Sequence, residues 1–511
     1  MPRGPSRDLY AAGAAVLLVT AAVLVGRHIQ GADRTLFADW PPLLASWEPH
    51  LGPGTPAAVL VAITTVAYGP ALAARLPWRA LVPLTWGTAT AWTFSLALVD
   101  GWQRGIAGRL TTPHEYLQVI DRFHDIPAAL RGFTRHILLG SPDHWPAHIA
   151  GHPPAAPLTF VLLDRIGLRG GGWAGVWCIT VGATACAAVL VTVRALADEE
   201  LARRAAPFLV LAPAAVWMGT SADAYFAAVA AWAVALLALA VTGRSLWRAG
   251  ASGLLFGLAC YLSYGLTLVA LIAAAVLVLG RHGIRERPAL LVPLLAGLAV
   301  VPTAFTLAGF DWWEAYRLLV TRYHQGVGGI RPYGYWVWAN LACTVLVTGL
   351  ATAAGLRRTG AVLVRHRRGA PGRAAETRLA LLVSAALLAL LVADLSGMSK
   401  AETERIWLPF ALWLLPACAF LALPRGPGSS PKSSTSPPSS RLLPQVLDFS
   451  PKFSTSLEQG GPPRAGGTPT SRGDPHEQGG PPRTGGAPVR AWLTAQALLA
   501  LLLNHLLLTR W

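Results

Sequence analysis

Charge is scarce in this chain. Of its 511 residues 13% are charged and 53% are hydrophobic. An ordinary soluble domain is about a quarter charged, so the composition excludes a cytosolic globular protein. The same apolar content excludes disorder as the main state. Lysine is nearly missing: it stands only at Lys400, Lys432 and Lys452, and the other basic residues are arginine. The formal charge is +17. The basic residues stand mostly in short gaps between apolar runs, where they act as topology signals rather than as the footprint of a nucleic-acid binder. Cysteine is sparse too. Cys178, Cys186, Cys260, Cys343 and Cys418 all fall in apolar runs without CxxC spacing. That pattern suggests neither a disulfide framework nor a zinc site, and reads as small buried hydrophobes.

What is present is a long series of apolar runs. A helix crosses the hydrocarbon core with about 20 apolar residues. Candidate spans stand at 10–26, 55–74, 80–99, 172–192, 205–219, 224–242, 249–264, 266–280, 288–307, 336–354, 377–395, 406–423 and 490–508. The expected fold is therefore an all-α polytopic membrane protein with about 13 transmembrane helices. The first run lacks a clear small-x-small cleavage site and reads as an anchor.

Arginine placement sets the expected orientation. Arg3 and Arg7 put the N-terminus in the cytoplasm. Arg75, Arg79, Arg194, Arg203, Arg204, Arg244, Arg248, the Arg281–Arg287 group and Arg357–Arg373 then also fall inside, in accord with the positive-inside rule. One condition applies: the apolar piece 154–168 must not cross. Its two leading prolines, short length and internal Asp164–Arg165 fit a helix lying at the outer interface. The outer regions of interest are 100–171, 220–223, 308–335 and 396–405. Most acidic residues outside the tail lie in or beside these segments, so any chemistry faces outward.

The expected organisation has four parts. Residues 1–79 hold two N-terminal spans with an outer loop, and 80–423 the main transmembrane core. Residues 424–489 are Pro-, Gly- and Ser-rich, and EQGGPPRAGGTP at 458–469 returns as EQGGPPRTGGAP at 477–488. This reads as a disordered cytoplasmic linker, with a Pro-rich ligand for a partner as the lesser reading. Residues 490–511 return to the membrane.

The chemistry-bearing residues gather in the outer segments. Asp100 ends a span in LALVDGWQRG, either as a solvated boundary residue or as a base beside a lipid-borne substrate. The loop after it carries Glu115, Asp121, Asp125 and Asp143 with six of the 13 histidines. The stretch TTPHEYLQVIDRFHDIPAALRGF has helical spacing, with Leu117, Ile120, Phe123, Ile126 and Leu130 on an apolar face and the acids and histidines toward a cavity. His144, His148 and His152 recur every four residues, the spacing of a metal face. Pro146, Pro153 and Pro154 break the helix that this needs, so ordinary loop histidines are the stronger reading. The 308–335 segment supplies Arg317, Arg322, Tyr323 and Arg331, a set suited to a phosphate or an acidic glycan. Its tryptophans fit an aromatic belt. SGMSKAETERIWLPF at 396–410 sets Lys400, Glu402, Glu404 and Arg405 at the mouth of a span, an expensive place for charges that are neither paired nor functional.

Taken together, these features resemble the GT-C superfamily of polytopic glycosyltransferases, which includes dolichyl-phosphate-mannose mannosyltransferases and bacterial lipid A aminoarabinose transferases. The resemblance rests on Asp100 opening a large first loop, on HPPAAPL at 152–158, on LAPAAVWMGTSADAYFA at 211–227, on the Gly-rich GLLFGLACYLSYGLTL at 253–268, and on the late ETERIW segment. It covers roughly residues 80–423 and extends to actinobacterial envelope members. Two extra N-terminal spans and the 424–489 insert depart from the pattern, as does the lone Asp100 where the family often has an Asp-Glu pair.

The resemblance implies a large catalytic extracytoplasmic loop with interfacial helices. It implies a plasma-membrane, mannosyltransferase-like enzyme that moves a hexosyl or pentosyl unit, with inversion, from a polyprenyl-phosphate sugar to a glycan, lipid or protein acceptor. In that scheme a carboxylate deprotonates the acceptor: Asp100, or else Glu115 or Asp125. His152, Lys400, Arg405 and Arg322 are candidates for the donor phosphate. Asp121, Asp223, Glu402 and Tyr323 are candidates for substrate contacts. No metal or cofactor is implied. Two other classes stay open: a polytopic transporter and a non-catalytic envelope-assembly scaffold. The clustering of acids in an outer loop, without an internal repeat among the spans, favours the enzyme.

Overall fold

A computed structural model describes residues 4–370, 372–422 and 486–509. The chain divides into a unit Met1–Leu423 with Gly485–Trp511, and a second, Pro424–Thr484, whose residues lie outside those described. The repeat and the linker reading therefore lie outside the described residues.

The described chain is overwhelmingly helical. Among the described residues seven helices are long and apolar enough to cross a membrane: Ser6–Ala32, Thr55–Arg75, Gly170–Leu196, Ala222–Gly243, Pro288–Leu307, Ala374–Leu395 and Pro488–Leu506. An eighth crossing is made if the bent pair Tyr333–Thr348 and Leu350–Arg367 counts as one span. The remaining expected crossings take other forms. Leu246–Leu262, Tyr264–Leu279 and Leu408–Leu421 are shorter apolar helices, and Trp78–Ala97 is a 20-residue helix.

Helix breakers explain where the expected boundaries shift. The run 205–219 is not one helix: Glu199–Val210 stops at Leu211, and a single turn Ala215–Met218 follows. Pro213 between them has no N–H to continue the ladder. The run 336–354 straddles a 108° bend, where Gly349 adopts φ 84, a left-handed conformation that glycine takes without Cβ strain. The last helix ends at Leu506. Residues Leu507–Thr509 (β2) pair antiparallel with Ala45–Trp47 (β1), Ala45 opposite Thr509. The stretch 111–133 is not a continuous amphipathic helix. It is a 3-10 segment Tyr116–Phe123 followed by a short helix Ile126–Gly132. The break falls at Asp125, which is extended and caps Ile126–Gly132, with Pro127 in that helix's first turn.

Long helices that are apolar all round pack on one side and leave the other bare. Val292 is 71% and Leu307 84% exposed on Pro288–Leu307. The interior is built from alanine, glycine and large aromatics, with Trp92, Trp217, Trp336, Trp407 and Trp413 fully buried. Leu246–Leu262 lies so close to Leu291–Leu307 that a Cβ on Gly253 would collide with the Leu294 carbonyl. Small residues permit this approach, and apolar helices associate through it.

Polar contacts fall into two groups joined by the long helices. One holds Asp8, which pairs with Arg357 and Arg358, and Arg203, which donates to the Ala73 and Leu76 carbonyls. Arg194 over Trp78 and Arg373 on Asp198 and Glu200 complete it. The other holds residues 44–50, 100–152, 323–331, 399–405 and 505–509. Ser6–Ala32, Thr55–Arg75, Trp78–Ala97, Gly170–Leu196 and Ala374–Leu395 run between them. The helix Ala155–Arg165 does not: His152, before it, meets Tyr116, and Arg165, at its end, donates to the Phe123 and His124 carbonyls.

The N-terminal segment 1–79 packs within the same unit as 80–423, through Asp8–Arg358 and Arg104–Glu48 among others. Cys178, Cys186, Cys343 and Cys418 are buried, Cys260 is half-buried, and all five are free thiols.

Candidate functional site

The second polar group contains two networks. The first is built on Asp100, at the end of the 3-10 turn Leu98–Asp100 that closes Trp78–Ala97. Asp100 Oδ1 lies 2.7 Å from His50 Nε2, and Oδ2 accepts from Arg109 at 2.8 Å. Arg104 stands 3.8 Å from Oδ1 and pairs with Glu48 at 2.6 Å. Arg109 also donates to the Thr509 carbonyl at 2.7 Å, so this network ties the β2 strand to the end of the helix. Both Asp100 oxygens are thus occupied by protein partners. Burial lowers the Arg109 pKa, with Asp100 acting against that shift.

The second network centres on Arg405, which is buried in the short helix Thr403–Ile406. Its guanidinium meets Asp223 Oδ2 at 3.1 Å, Glu402 Oε2 at 3.1 Å and His148 Nε2 at 3.3 Å. Glu115 Oε1 lies 2.8 Å from the other ring nitrogen of His148. Glu402 Oε1 accepts from Arg331 at 3.3 Å, and Arg331 also donates to the carbonyls of Lys400 and Leu36. Tyr323 accepts at its hydroxyl from the Lys400 backbone N–H at 3.0 Å, while Lys400 Nζ donates to the Gly328 carbonyl at 2.9 Å. On the other side of His148, His152 Nδ1 faces the Tyr116 hydroxyl at 3.1 Å and the His148 carbonyl at 2.7 Å. Phe160 and Phe226 pack against the Tyr116 ring.

Local sequence explains how these groups are held. Ser221 caps Ala222–Gly243 by accepting from the Asp223 N–H, setting Asp223 in the first turn. Pro153 and Pro154 end the loop that carries His148 and His152 and start Ala155–Arg165. Backbone strain flanks both sides of the Asp223–Arg405 pair. Thr220 has φ 59, Ala401 φ 73 and Glu402 φ 62, in the region that L-residues avoid. Such conformations cost about 1–3 kcal/mol each and persist where the surroundings over-determine them.

The electrostatics follow from burial and pairing. Burial alone would raise the Glu115 pKa, but His148, Arg405 and His152 hold it below the usual value. Glu402 behaves likewise under Arg405 and Arg331. Burial works against the Arg405 charge, yet Asp223, Glu402 and Glu115 raise its pKa above the ordinary one. Burial depresses His152. Glu404, next to Arg405, is buried and accepts from the Leu44 N–H on Oε1 at 2.9 Å, and burial pushes its pKa up to about 7.

Several buried polar atoms have no hydrogen-bond partner among the described residues: Glu115 Oε2, Arg405 Nε, Glu404 Oε2 and Trp407 Nε1. Unsatisfied buried groups are rare and call for a reason. A small cavity of about 40 Å³ is lined by Trp407 and by Asp223, the partner of Arg405, with Phe226, Ser263, Leu266 and Ile406 among others. The arrangement offers an unengaged carboxylate oxygen, an imidazole and a guanidinium within one buried set.

The structure brings together Glu115, His152, Asp223, Lys400, Glu402, Arg405 and Tyr323. Asp100 sits in the neighbouring network, linked by Thr220 Oγ1, which donates to the Gly105 carbonyl. Asp121 and Asp125 are exposed, and Asp125 caps Ile126–Gly132 by accepting from the Ala128 N–H at 3.0 Å. Arg322 is half-buried and reaches only the Trp145 carbonyl at 3.4 Å, with NH1 unpartnered. His144 is exposed, so the three evenly spaced histidines do not converge. Among the described residues no group of three or more His, Cys, Asp or Glu is disposed to hold a metal ion. Sequence reasoning did not single out the bridging role of His148, nor the partners His50 and Arg109. His148 had a signal, since it stands four residues before His152; His50 and Arg109 had none.

No protein-family model matches the chain, and no curated protein matches it. Among solved structures the chain is similar to the oligosaccharyltransferase of Archaeoglobus fulgidus in its apo form. The TM-score is 0.44 at 14% identity, over 68% of this chain and 50% of that one. The same enzyme in complex with zinc and sulfate gives a TM-score of 0.43 at 14% identity, over 67% and 48%. The chain spans about half the length of those chains.

Proposed function

We propose that this chain is an integral-membrane glycosyltransferase of GT-C type that uses a polyprenyl-phosphate-linked sugar. The observation that carries the reading is the buried Glu115–His148–Arg405–Asp223 network, with Glu115 Oε2 unengaged. The sequence motifs at 211–227 and 402–407 supply two of its four corners, Asp223 and Arg405, and the motif at 152–158 supplies the adjoining His152. On this reading the site faces the extracytoplasmic side of the plasma membrane, with the N-terminus in the cytoplasm. The enzyme belongs to a mannosyltransferase-like, actinobacterial envelope class, and its acceptor is a glycan, a lipid or a protein.

Glu115 is the base in this proposal. Its Oε2 takes the proton of the acceptor hydroxyl as that oxygen bonds to the anomeric carbon. The bond from the anomeric carbon to the phosphate oxygen breaks with its electron pair, and polyprenyl phosphate leaves with inversion. Arg405 with His152 and Lys400 stabilises the leaving phosphate, and Asp223, Glu402 and Tyr323 hold Arg405 and Lys400 in place. Asp100, with both oxygens engaged, anchors the loop that carries Glu115. The exposed Asp121 and Asp125 and the half-buried Arg322 serve acceptor binding.

The test is glycan and glycolipid profiling of a deletion strain complemented at matched membrane levels. Wild type is expected to restore the truncated product. Glu115→Gln is expected to lower turnover about 10²–10⁴-fold, the usual worth of a general base. Full restoration by both Glu115→Gln and Asp100→Asn would exclude a catalytic carboxylate at either place and favour a scaffold. Solute flux in proteoliposomes would favour a transporter.

A further inference from the structure

A second cavity lies in the other polar group, away from the Arg405 network. It opens between the last turns of Leu350–Arg367 and the first turn of Ala374–Leu395, with a volume of about 350 Å³. Small-ligand sites run from about 300 to 1,000 Å³. Its walls carry Arg365, His366, Arg373 and Arg378 against a single carboxylate, Glu376.

These cations are not equally engaged. Arg373 donates to Asp198 and to Glu200, both at 2.8 Å, and forms a fixed wall. Arg365 stands 3.7 Å from Glu376, too far for a hydrogen bond. Arg378 reaches the Leu196 carbonyl only at 3.5 Å. His366 is exposed. Two guanidinium forks and an imidazole therefore border a space large enough for a headgroup, with donors to spare. Guanidinium forks match phosphate oxygens two at a time, which selects for phosphate over a neutral ligand.

We propose that this cavity binds a phosphate-bearing anionic group, held by Arg365 and Arg378 with His366 beside them. Ala374–Leu395 runs from its rim as a long apolar helix, so the cavity sits where apolar surface gives way to charge. That is the depth of a phospholipid headgroup, where basic residues are drawn to an anionic surface. A soluble phosphate compound presents the same chemistry, and the experiment separates the two sources.

The purified full-length protein is placed in nanodiscs of phosphatidylcholine, with or without a minority of phosphatidylglycerol. Lipid retention is read by native mass spectrometry. In parallel, inorganic phosphate is titrated into the phosphatidylcholine discs and the thermal midpoint is followed. Wild type is compared with the cavity variant Arg365→Gln/Arg378→Gln. The control is Arg367→Gln/Arg368→Gln, which removes equal charge from exposed positions that do not line the cavity. The expected result is a retained phosphatidylglycerol whose binding weakens about tenfold in the cavity variant and is unchanged in the control. A thermal shift with phosphate alone, lost only in the cavity variant, supports the site and identifies its source as soluble. Equal retention in all three proteins, or no response to either probe, overturns the proposal. Should the double variant fail to fold, Arg365→Lys carries the same comparison, since lysine keeps the charge and removes the fork.

Discussion

Arg405 illustrates what pairing does for a charge withdrawn from water. It meets two carboxylates and an imidazole, and removing it would leave Asp223 without its ion-pair partner in the interior. Breaking a buried pair in this way costs about 3–5 kcal/mol. Arg405→Met is therefore expected to lower the thermal midpoint of the detergent-solubilised protein strongly, and Arg405→Lys less so. Glu404 is the contrary case, a buried carboxyl with no cation of its own in contact. Its pKa rises from 4.5 in the unfolded chain to about 7 on folding. As pH rises through that window, the unfolded state sheds the proton while the native state keeps it. The native state therefore loses up to ~3 kcal/mol between the two values. Denaturation from pH 4.5 to pH 7 is expected to show this decline in wild type and a flatter profile in Glu404→Gln. The same downward slope in both proteins would rule Glu404 out as its source. Both residues stand out in the sequence as charges at a span mouth, but nothing there distinguishes the paired one from the lone one.

At the scale of elements, hydropathy and helix breakers carried most of the information. The apolar runs marked the helices, and the prolines marked where Ala155–Arg165 begins, whereas the run 205–219, read as one span, breaks in the structure around Pro213. The 108° turn at Gly349 was hidden, because apolar residues continue through it and a single glycine inside a helix is common. Gly253 was legible as part of a Gly-rich stretch, though its role was not. It lets Leu246–Leu262 meet the Leu294 carbonyl, so Gly253→Val is expected to force the pair apart at about 1–3 kcal/mol. Thermal unfolding measures this. A substitution of similar size at Gly360, where a Cβ meets nothing within 4 Å, is expected to leave the midpoint nearly unchanged.

At the scale of the molecule, two polar groups are joined by long apolar helices, and both carry proposals: sugar transfer at one, phosphate binding at the other. Single cysteines report which side each group faces. In a background with the half-buried Cys260 replaced by serine, a cysteine at the exposed His144 is expected to react in intact cells with a membrane-impermeant thiol reagent. One at the exposed Arg367 is expected to react only after lysis. Reaction at both positions in intact cells would overturn the proposed topology.

The sequence by itself determined the class of molecule. Low charge, long apolar runs and arginines in the gaps between them require helices that hide their backbone hydrogen bonds, and they imply an alternation of sides. It also indicated that the chemistry-bearing residues collect in segments 100–171, 308–335 and 396–405. Only the tertiary structure decided which of them meet. Arg405 finds Asp223 and His148, and Asp100 finds His50 and Arg109, across separations that no local period encodes. The physical reason is that hydropathy records whether a segment is apolar, while the partner of a charge depends on how each helix is rotated and on which neighbours it packs against. Both are settled by close packing of the whole unit.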